Sequence, residues 1–218
     1  YFSMQKYDQA APLLESIAKN PSDPNYKDAN YYYGVLTYAK KNYKGALPSF
    51  QKIENDPNYK SVVPFYIANI YYAQGQKEKA VDYGETALKK NKGQNDVQMG
   101  ELMGHALFEK REYAKALPYL ENFVNKSKKV SRETLYELAY CYYQTNDLRN
   151  AVENLKQLSG GEDSLSQNAM YILGDAYLKL GDKANARNAF SFGATNNVNL
   201  SQREVSKFNY AKLSYELG

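Results

Sequence analysis

Tryptophan is absent from this 218-residue chain, and cysteine and histidine occur once each. No stretch approaches the ~18 consecutive apolar residues that mark a membrane span. Each shortage excludes something. A lone Cys141 cannot form an intrachain disulfide. A lone His105 removes paired-histidine metal sites and weakens any Ser/His or Cys/His nucleophilic scheme. The glycines never fall into G-x-x-x-x-G-K-S/T or a strand-led G-x-G-x-x-G, so no phosphate cradle is visible. No pair of carboxylates stands out for glycoside chemistry. Charge of one sign is scarce too. Lys+Arg 28 against Asp+Glu 24 leaves +4, a weak footprint for a nucleic-acid binder. No charged n-region followed by an apolar core opens the chain, so no signal peptide is visible. Tyr1 falls in the middle of a structural unit, which suggests an excised piece or mature segment of something longer.

Hydrophobic residues make up 43%, yet the mean hydropathy is −0.72, which suits a thin architecture with much surface per residue. Tyrosine is the excess: 23 Tyr and 8 Phe. The organising stretch runs from Asn168 to Asn196 and reads as two amphipathic helices folded back across Leu180-Gly181-Asp182. Its grammar recurs. An alanine near the start of each second helix falls at Ala10, Ala46, Ala80, Ala116, Ala151 and Ala186, in steps of 36, 34, 36, 35 and 35. A small residue in each first helix falls at Gly34, Ala68, Gly104, Ala139, Gly174 and Ala211, 12 before the alanine wherever both exist. Small residues let antiparallel helices approach, while larger apolar neighbours three and four positions away fill the gaps.

Taken in order, residues 4–20 are a second helix lacking its partner, with Tyr7, Ala10, Leu13, Leu14 and Ile17 as its stripe. Pro21 and Pro24 break the chain after it. Helix pairs follow at 28–56, 62–90, 97–126, 131–158 and 165–195, and a lone first helix at 201–217 ends at Gly218. Pro12, Pro48 and Pro118 lie two residues after a ruler alanine. These helices are expected to bend without breaking, because the apolar spacing continues through each proline. Ser131, with Thr134 nearby, offers N-caps, and Gly160-Gly161 reads as a flexible joint.

Leu173-Gly174, Tyr177, Ala186 and Phe190 match the L-G-x2-Y … A-x3-F spacing of the tetratricopeptide repeat (TPR) family, which the whole chain resembles. The resemblance implies an all-α fold: a TPR-like right-handed superhelical solenoid of antiparallel helix pairs, about twelve helices, as a single array over 1–218 with a half repeat at 1–20. It implies that first helices line a concave wall. In that register the groove-facing residues are Tyr31, Val35 and Tyr38; Phe65, Asn69 and Tyr72; Glu101, His105 and Phe108; Tyr136, Tyr140 and Tyr143; and Tyr171, Asp175 and Leu178. Tyrosine offers contact area at low entropic cost plus a hydroxyl. Tyr71, Tyr142 and Tyr177 are expected to pack between repeats instead. The Lys/Asn clamp by which some relatives grip chaperone tails is absent: Tyr31, Phe65, Glu101, Tyr136 and Tyr171 stand in the matching places, and Asn69 alone agrees.

Outside the groove the expectations are plain ones. Cys141 matches Ala106 and Ala176 in register and reads as a packed small residue. His105, within the groove register, reads either as a polar contact to a bound peptide or as an incidental surface histidine. The basic run 125–132 reads as a solvated loop. The expected function is a non-catalytic protein–protein interaction scaffold that holds a protein or peptide segment in a Tyr-lined groove, with no cofactor, no metal and no nucleic acid. Two alternatives are a glycan-binding cell-surface protein, and a purely structural module that self-associates through its end helices. The Lys-, Asn- and Tyr-rich composition looks bacterial, with the cell envelope or periplasm favoured over the cytoplasm.

Overall fold

The computed structural model describes residues 7–90 and 93–218. Among these it contains twelve α-helices and no strand. They are α1 (Tyr7–Ala18), α2 (Tyr26–Ala39), α3 (Tyr43–Gln51), α4 (Val63–Ala73), α5 (Lys77–Lys90), α6 (Asp96–Glu109), α7 (Tyr113–Lys126), α8 (Arg132–Gln144), α9 (Leu148–Lys156), α10 (Ser164–Lys179), α11 (Lys183–Thr195) and α12 (Leu200–Leu217). The start of the expected 4–20 helix, residues 4–6, lies outside the described residues.

Five turns join a first helix to its second, and all five are built alike. One residue in each takes the left-handed conformation: Lys41, Gly75, Arg111, Asn146 and Gly181, with φ of 57°, 76°, 62°, 64° and 79°. The next amide reaches back to close the helix: Asn42 N–H donates to Thr37 O, and Asp182 N–H to Tyr177 O, at 2.8 and 2.9 Å. This is a Schellman closure, which consumes carbonyls that the helix end would otherwise leave without partners. The same residue then opens the next helix. The side chains of Asn42, Asp147 and Asp182 accept from the amides of Gly45, Asn150 and Asn185. Ser131 caps α8 by accepting from Thr134 N–H, whereas Thr134 is itself buried inside the helix.

The chain divides into two compact units, residues 1–106 and 107–218. In the first, α1 packs on α2, α2 on α3, α3 on α4 and α4 on α5. Its core is a cluster drawn from successive pairs: Ala46, Phe50, Ile53, Val63, Ile67, Ile70, Tyr71 and Ala80. In the second, α7 to α12 pack each on the next, and α10 also touches α8 and α12. The ruler alanines are all buried, and the small first-helix residues are buried too, with the single exception of Ala211.

Their size is set by contact. A Cβ at Gly34 would lie 2.7 Å from the Phe50 ring, and one at Gly174 would lie 2.7 Å from Phe190. Fully burying such a phenylalanine contributes about 1.5–3 kcal/mol, so the glycine exists to admit the ring. Gly161 likewise sits against Arg132 and Ser166, where a Cβ would be 2.6 Å from each. The expected flexible joint is therefore a close-packed crossing at its second glycine.

The helices run on through Pro12, Pro48 and Pro118, which are exposed. The proline rings therefore lie off the packed faces of these helices. Leu13 departs from the stripe proposed for α1: it is 52% exposed, and buried Ala18 takes a place in the packing. No described helix is long and apolar enough to cross a membrane.

Candidate functional site

The groove-register residues share one property. Tyr31, Tyr38, Phe65, Asn69, Tyr72, His105, Phe108, Tyr136, Tyr140, Tyr143, Tyr171 and Asp175 are all half-buried, neither sealed in the core nor free in solvent. Tyr71, Tyr142 and Tyr177, one position earlier than the last groove residue of their helices, are buried as expected. The difference follows from helical geometry. Positions i, i+4 and i+7, as in Tyr136, Tyr140 and Tyr143 on α8, form one stripe. A step of a single residue turns about 100° toward the neighbouring pair.

In the 1–106 unit the rings form a local patch. Tyr31 stacks on Tyr59 at 4.7 Å between centroids, and Tyr38 meets Tyr66 edge-on at 5.2 Å and Tyr43 at 5.8 Å. Tyr66 in turn stacks on Phe50 at 4.9 Å, which ties this surface to the core. Tyr59 donates to Asp28. Burial raises the phenol pKa values of Tyr31, Tyr38 and Tyr59. These groups therefore stay protonated at neutral pH and present hydroxyls, not phenolates. Asn69 Nδ2 donates to Phe65 O of its own helix at 2.9 Å. Tyr72 packs against the core cluster. His105 lies 3.6 Å from Glu101, both half-buried.

The 107–218 unit holds a second aromatic surface. Phe108, Tyr113, Tyr136, Tyr140 and Tyr143 form a connected set centred on Tyr140, with centroid distances of 5.7, 5.3, 6.0 and 6.2 Å to its four neighbours. Burial pushes the Tyr136 phenol up to about 12, with Tyr140 adding to the effect. At one edge sits a polar triad. Tyr143 donates to Asp175 Oδ2 at 2.5 Å, Lys179 Nζ donates to the Tyr143 hydroxyl at 2.7 Å, and Lys179 lies 3.1 Å from Asp175. The ammonium also stands 4.2 Å from the Tyr143 ring centroid. Asp175 thus bridges α10 to α8. Tyr171 instead meets Phe190, at 6.1 Å, so it supports packing within its own pair.

Several members escaped sequence reasoning. Tyr43 and Tyr113 each precede a ruler alanine by three, and each ring meets the last groove residue of its own first helix, Tyr38 and Phe108. That recurrence was a usable signal. Tyr59 lies in an inter-pair connection where no periodicity operates, and Lys179 sits past the register positions. Elsewhere, Cys141 is fully buried and its thiol is pushed up to about 12 by burial, as a packed residue should be. In the basic run, Lys128 and Lys129 are exposed. Arg132 is engaged, holding Asp163 and Ser166 of the next pair. Among the described residues no group of three His, Cys, Asp or Glu side chains could hold a metal ion.

Comparison with known proteins agrees with this architecture. A tetratricopeptide-repeat family model matches residues 1–60, and the model for anaphase-promoting complex, cyclosome, subunit 3 matches 109–192. The chain is 20% identical over 151 residues to the TPR repeat-containing protein YpiA of Bacillus subtilis (strain 168), across 69% of this chain and 35% of that protein. It thus spans about a third of the curated relative it matches. Among solved structures it resembles YrrB, described as a TPR protein with an unusual peptide-binding site, at a TM-score of 0.72 and 17% identity, covering 91% of this chain and 98% of that one. It also resembles MamA from Desulfovibrio magneticus RS-1, with a TM-score of 0.59, 17% identity, and 76% and 91% coverage. The fold is the all-α TPR solenoid. The two matched family models and the fold together support a tetratricopeptide repeat protein.

Proposed function

We propose that the chain is a non-catalytic interaction scaffold whose first-helix faces hold a peptide segment of a protein partner, with Tyr136, Tyr140 and Tyr143 at the centre of the contact. The reading is carried by the connected, half-exposed ring set around Tyr140, bordered by the Tyr143–Asp175–Lys179 triad. Pre-ordered rings lose little entropy on binding, and fixed hydroxyls and a fixed ion pair give a peptide backbone directional partners. The resemblance to a structure described as having a peptide-binding site supports the same class of ligand.

The test is to pan a displayed library of random peptides on the chain and measure the enriched sequences by fluorescence anisotropy. Replacing Tyr136, Tyr140 and Tyr143 together with Ala should weaken binding more than tenfold while far-UV circular dichroism stays helical. Unchanged affinity in that variant refutes the assignment. Binding on a glycan array with no peptide enriched would transfer the surface to carbohydrate recognition.

A further inference from the structure

We propose that the cleft between the connection leading into α10 and the connection leading out of α11 holds a neutral sugar, one pyranose unit of a carbohydrate. The cleft shares no residue with the aromatic set around Tyr140, so the argument is independent of the peptide reading. Both walls belong to α10 and α11, a helix pair that the chain packs together itself.

One wall is held in shape from beneath. The residue seven positions before the small residue of a first helix reaches the following connection: Lys27 pairs with Asp56 at 2.7 Å, and Arg132 with Asp163 at 2.5 Å. In α10 that position is Gln167, which is fully buried. Its Nε2 donates to Asn196 O at 3.3 Å and to Asn199 O at 2.9 Å, and its Oε1 accepts from Asn199 N–H at 2.7 Å. A buried amide is tolerated when its groups are bonded, and here an uncharged tie replaces an ion pair. The asparagines above it are oriented as well. Asn196 Oδ1 accepts from Val198 N–H at 3.1 Å, and Asn197 Oδ1 accepts from Arg203 Nη1 at 2.5 Å. Both bonds use the oxygen. Among the described residues, no partner takes the Nδ2 group of either side chain.

The cleft measures about 560 Å³ and is lined by Glu162, Phe192, Thr195, Asn196, Asn197 and Val198. That size suits a small molecule. No lysine or arginine lines it, so nothing there neutralises a phosphate or an acidic ligand. The two Nδ2 groups can only donate, and the exposed Glu162 carboxylate can only accept. The Thr195 hydroxyl gives its proton to Phe192 O at 3.0 Å and keeps lone pairs for a donor. A sugar hydroxyl both donates and accepts, so it uses both kinds of group at once. The Phe192 ring and the exposed Val198 supply apolar surface for the C–H face of a pyranose, whose hydroxyls lie around its rim. A wholly apolar ligand would leave the amides and the carboxylate unpaired.

A printed array of neutral, sialylated and sulfated glycans, probed with the 218-residue chain, tests this. Neutral glycans should bind, and the strongest is then titrated by saturation-transfer difference NMR. Glu162→Ala removes the acceptor, and Val198→Glu puts bulk and charge into the cleft. Each should weaken that glycan more than tenfold. Both side chains are exposed, so far-UV circular dichroism and the thermal midpoint should not change. The triple tyrosine variant should bind the glycan like the parent chain, and both cleft variants should keep any peptide that the tyrosines hold. Loss of the glycan in the triple tyrosine variant would place carbohydrate on the aromatic surface and overturn the cleft assignment. So would an array without a bound glycan, binding confined to sialylated or sulfated glycans, or undiminished binding in either cleft variant. A library peptide weakened by Glu162→Ala, with no glycan bound, would give the cleft to a peptide instead and overturn the proposal too.

Discussion

Five single residues set the hairpin geometry, and two of them carry side chains ill suited to it. Lys41 and Arg111 hold φ of 57° and 62° where Gly75 and Gly181 do the same work in sister turns. A left-handed conformation crowds Cβ against the following carbonyl in any residue but glycine. Lys41 is exposed, so nothing but its backbone is at stake. Lys41→Gly is expected to stabilise the chain by about 1 kcal/mol, read as a higher thermal midpoint. A lower midpoint would mean that the Lys41 stem does more than cross a turn. The period was legible here, because the alanines at Ala46 and Ala186 count out the turns. The strain was not: nothing in the letters of Lys41-Asn42 or Arg111-Glu112 announces a left-handed residue, since the Schellman closure imposes it from the hydrogen bonds that the helix end must make.

At the scale of helices, the junction between α8 and α10 shows how one charge serves two elements. Asp163 caps α10 by accepting from Ser166 N–H at 2.8 Å and pairs with Arg132 at the start of α8. The Arg132 guanidinium above all, and then the Ser166 amide, pull its carboxyl down to about 2. A folded-state pKa below the ordinary carboxylate value means that the ionised form is favoured by folding. Its contribution is present above about pH 4, the unfolded value, and disappears as the pH falls toward 2. Asp163→Asn keeps a competent cap and removes the charge. The parent chain should melt above this variant at pH 6, with the gap closing between about pH 4 and 2. The pair is solvent-accessible and screened, so the gap should also narrow in high salt. A difference that persists at the acid end would place the effect in the cap alone. Sequence pattern suggested caps such as Ser131, because they are local; the partnership of Arg132 with a residue on another helix is not.

Within each of the two units, contact runs between successive helices and between adjacent pairs, and stability is expected to be a sum of repeat and interface terms with the outermost helices least supported. α12 is held by α11 and more lightly by α10. Hydrogen exchange should therefore be fastest in α12 and α1 and slowest in pairs flanked on both sides, such as α10 and α11. Uniform exchange along the chain would contradict the neighbour-only description.

The sequence by itself determined that the chain is a train of helix pairs, where each pair turns, and which residues share a stripe. Those features depend on spacing along one helix, and a fixed rise and rotation per residue make spacing decisive. It also marked Tyr71, Tyr142 and Tyr177 as packed, since one step in register moves a side chain to another face. Only tertiary structure decided that Tyr140 gathers Phe108 and Tyr113 around it, that Asn69 serves its own helix, that Tyr59 joins Tyr31 from a connection without periodicity, and that Ala211 stays open while its counterparts close. Each of those outcomes depends on what a neighbouring element places opposite, and no single helix carries that information.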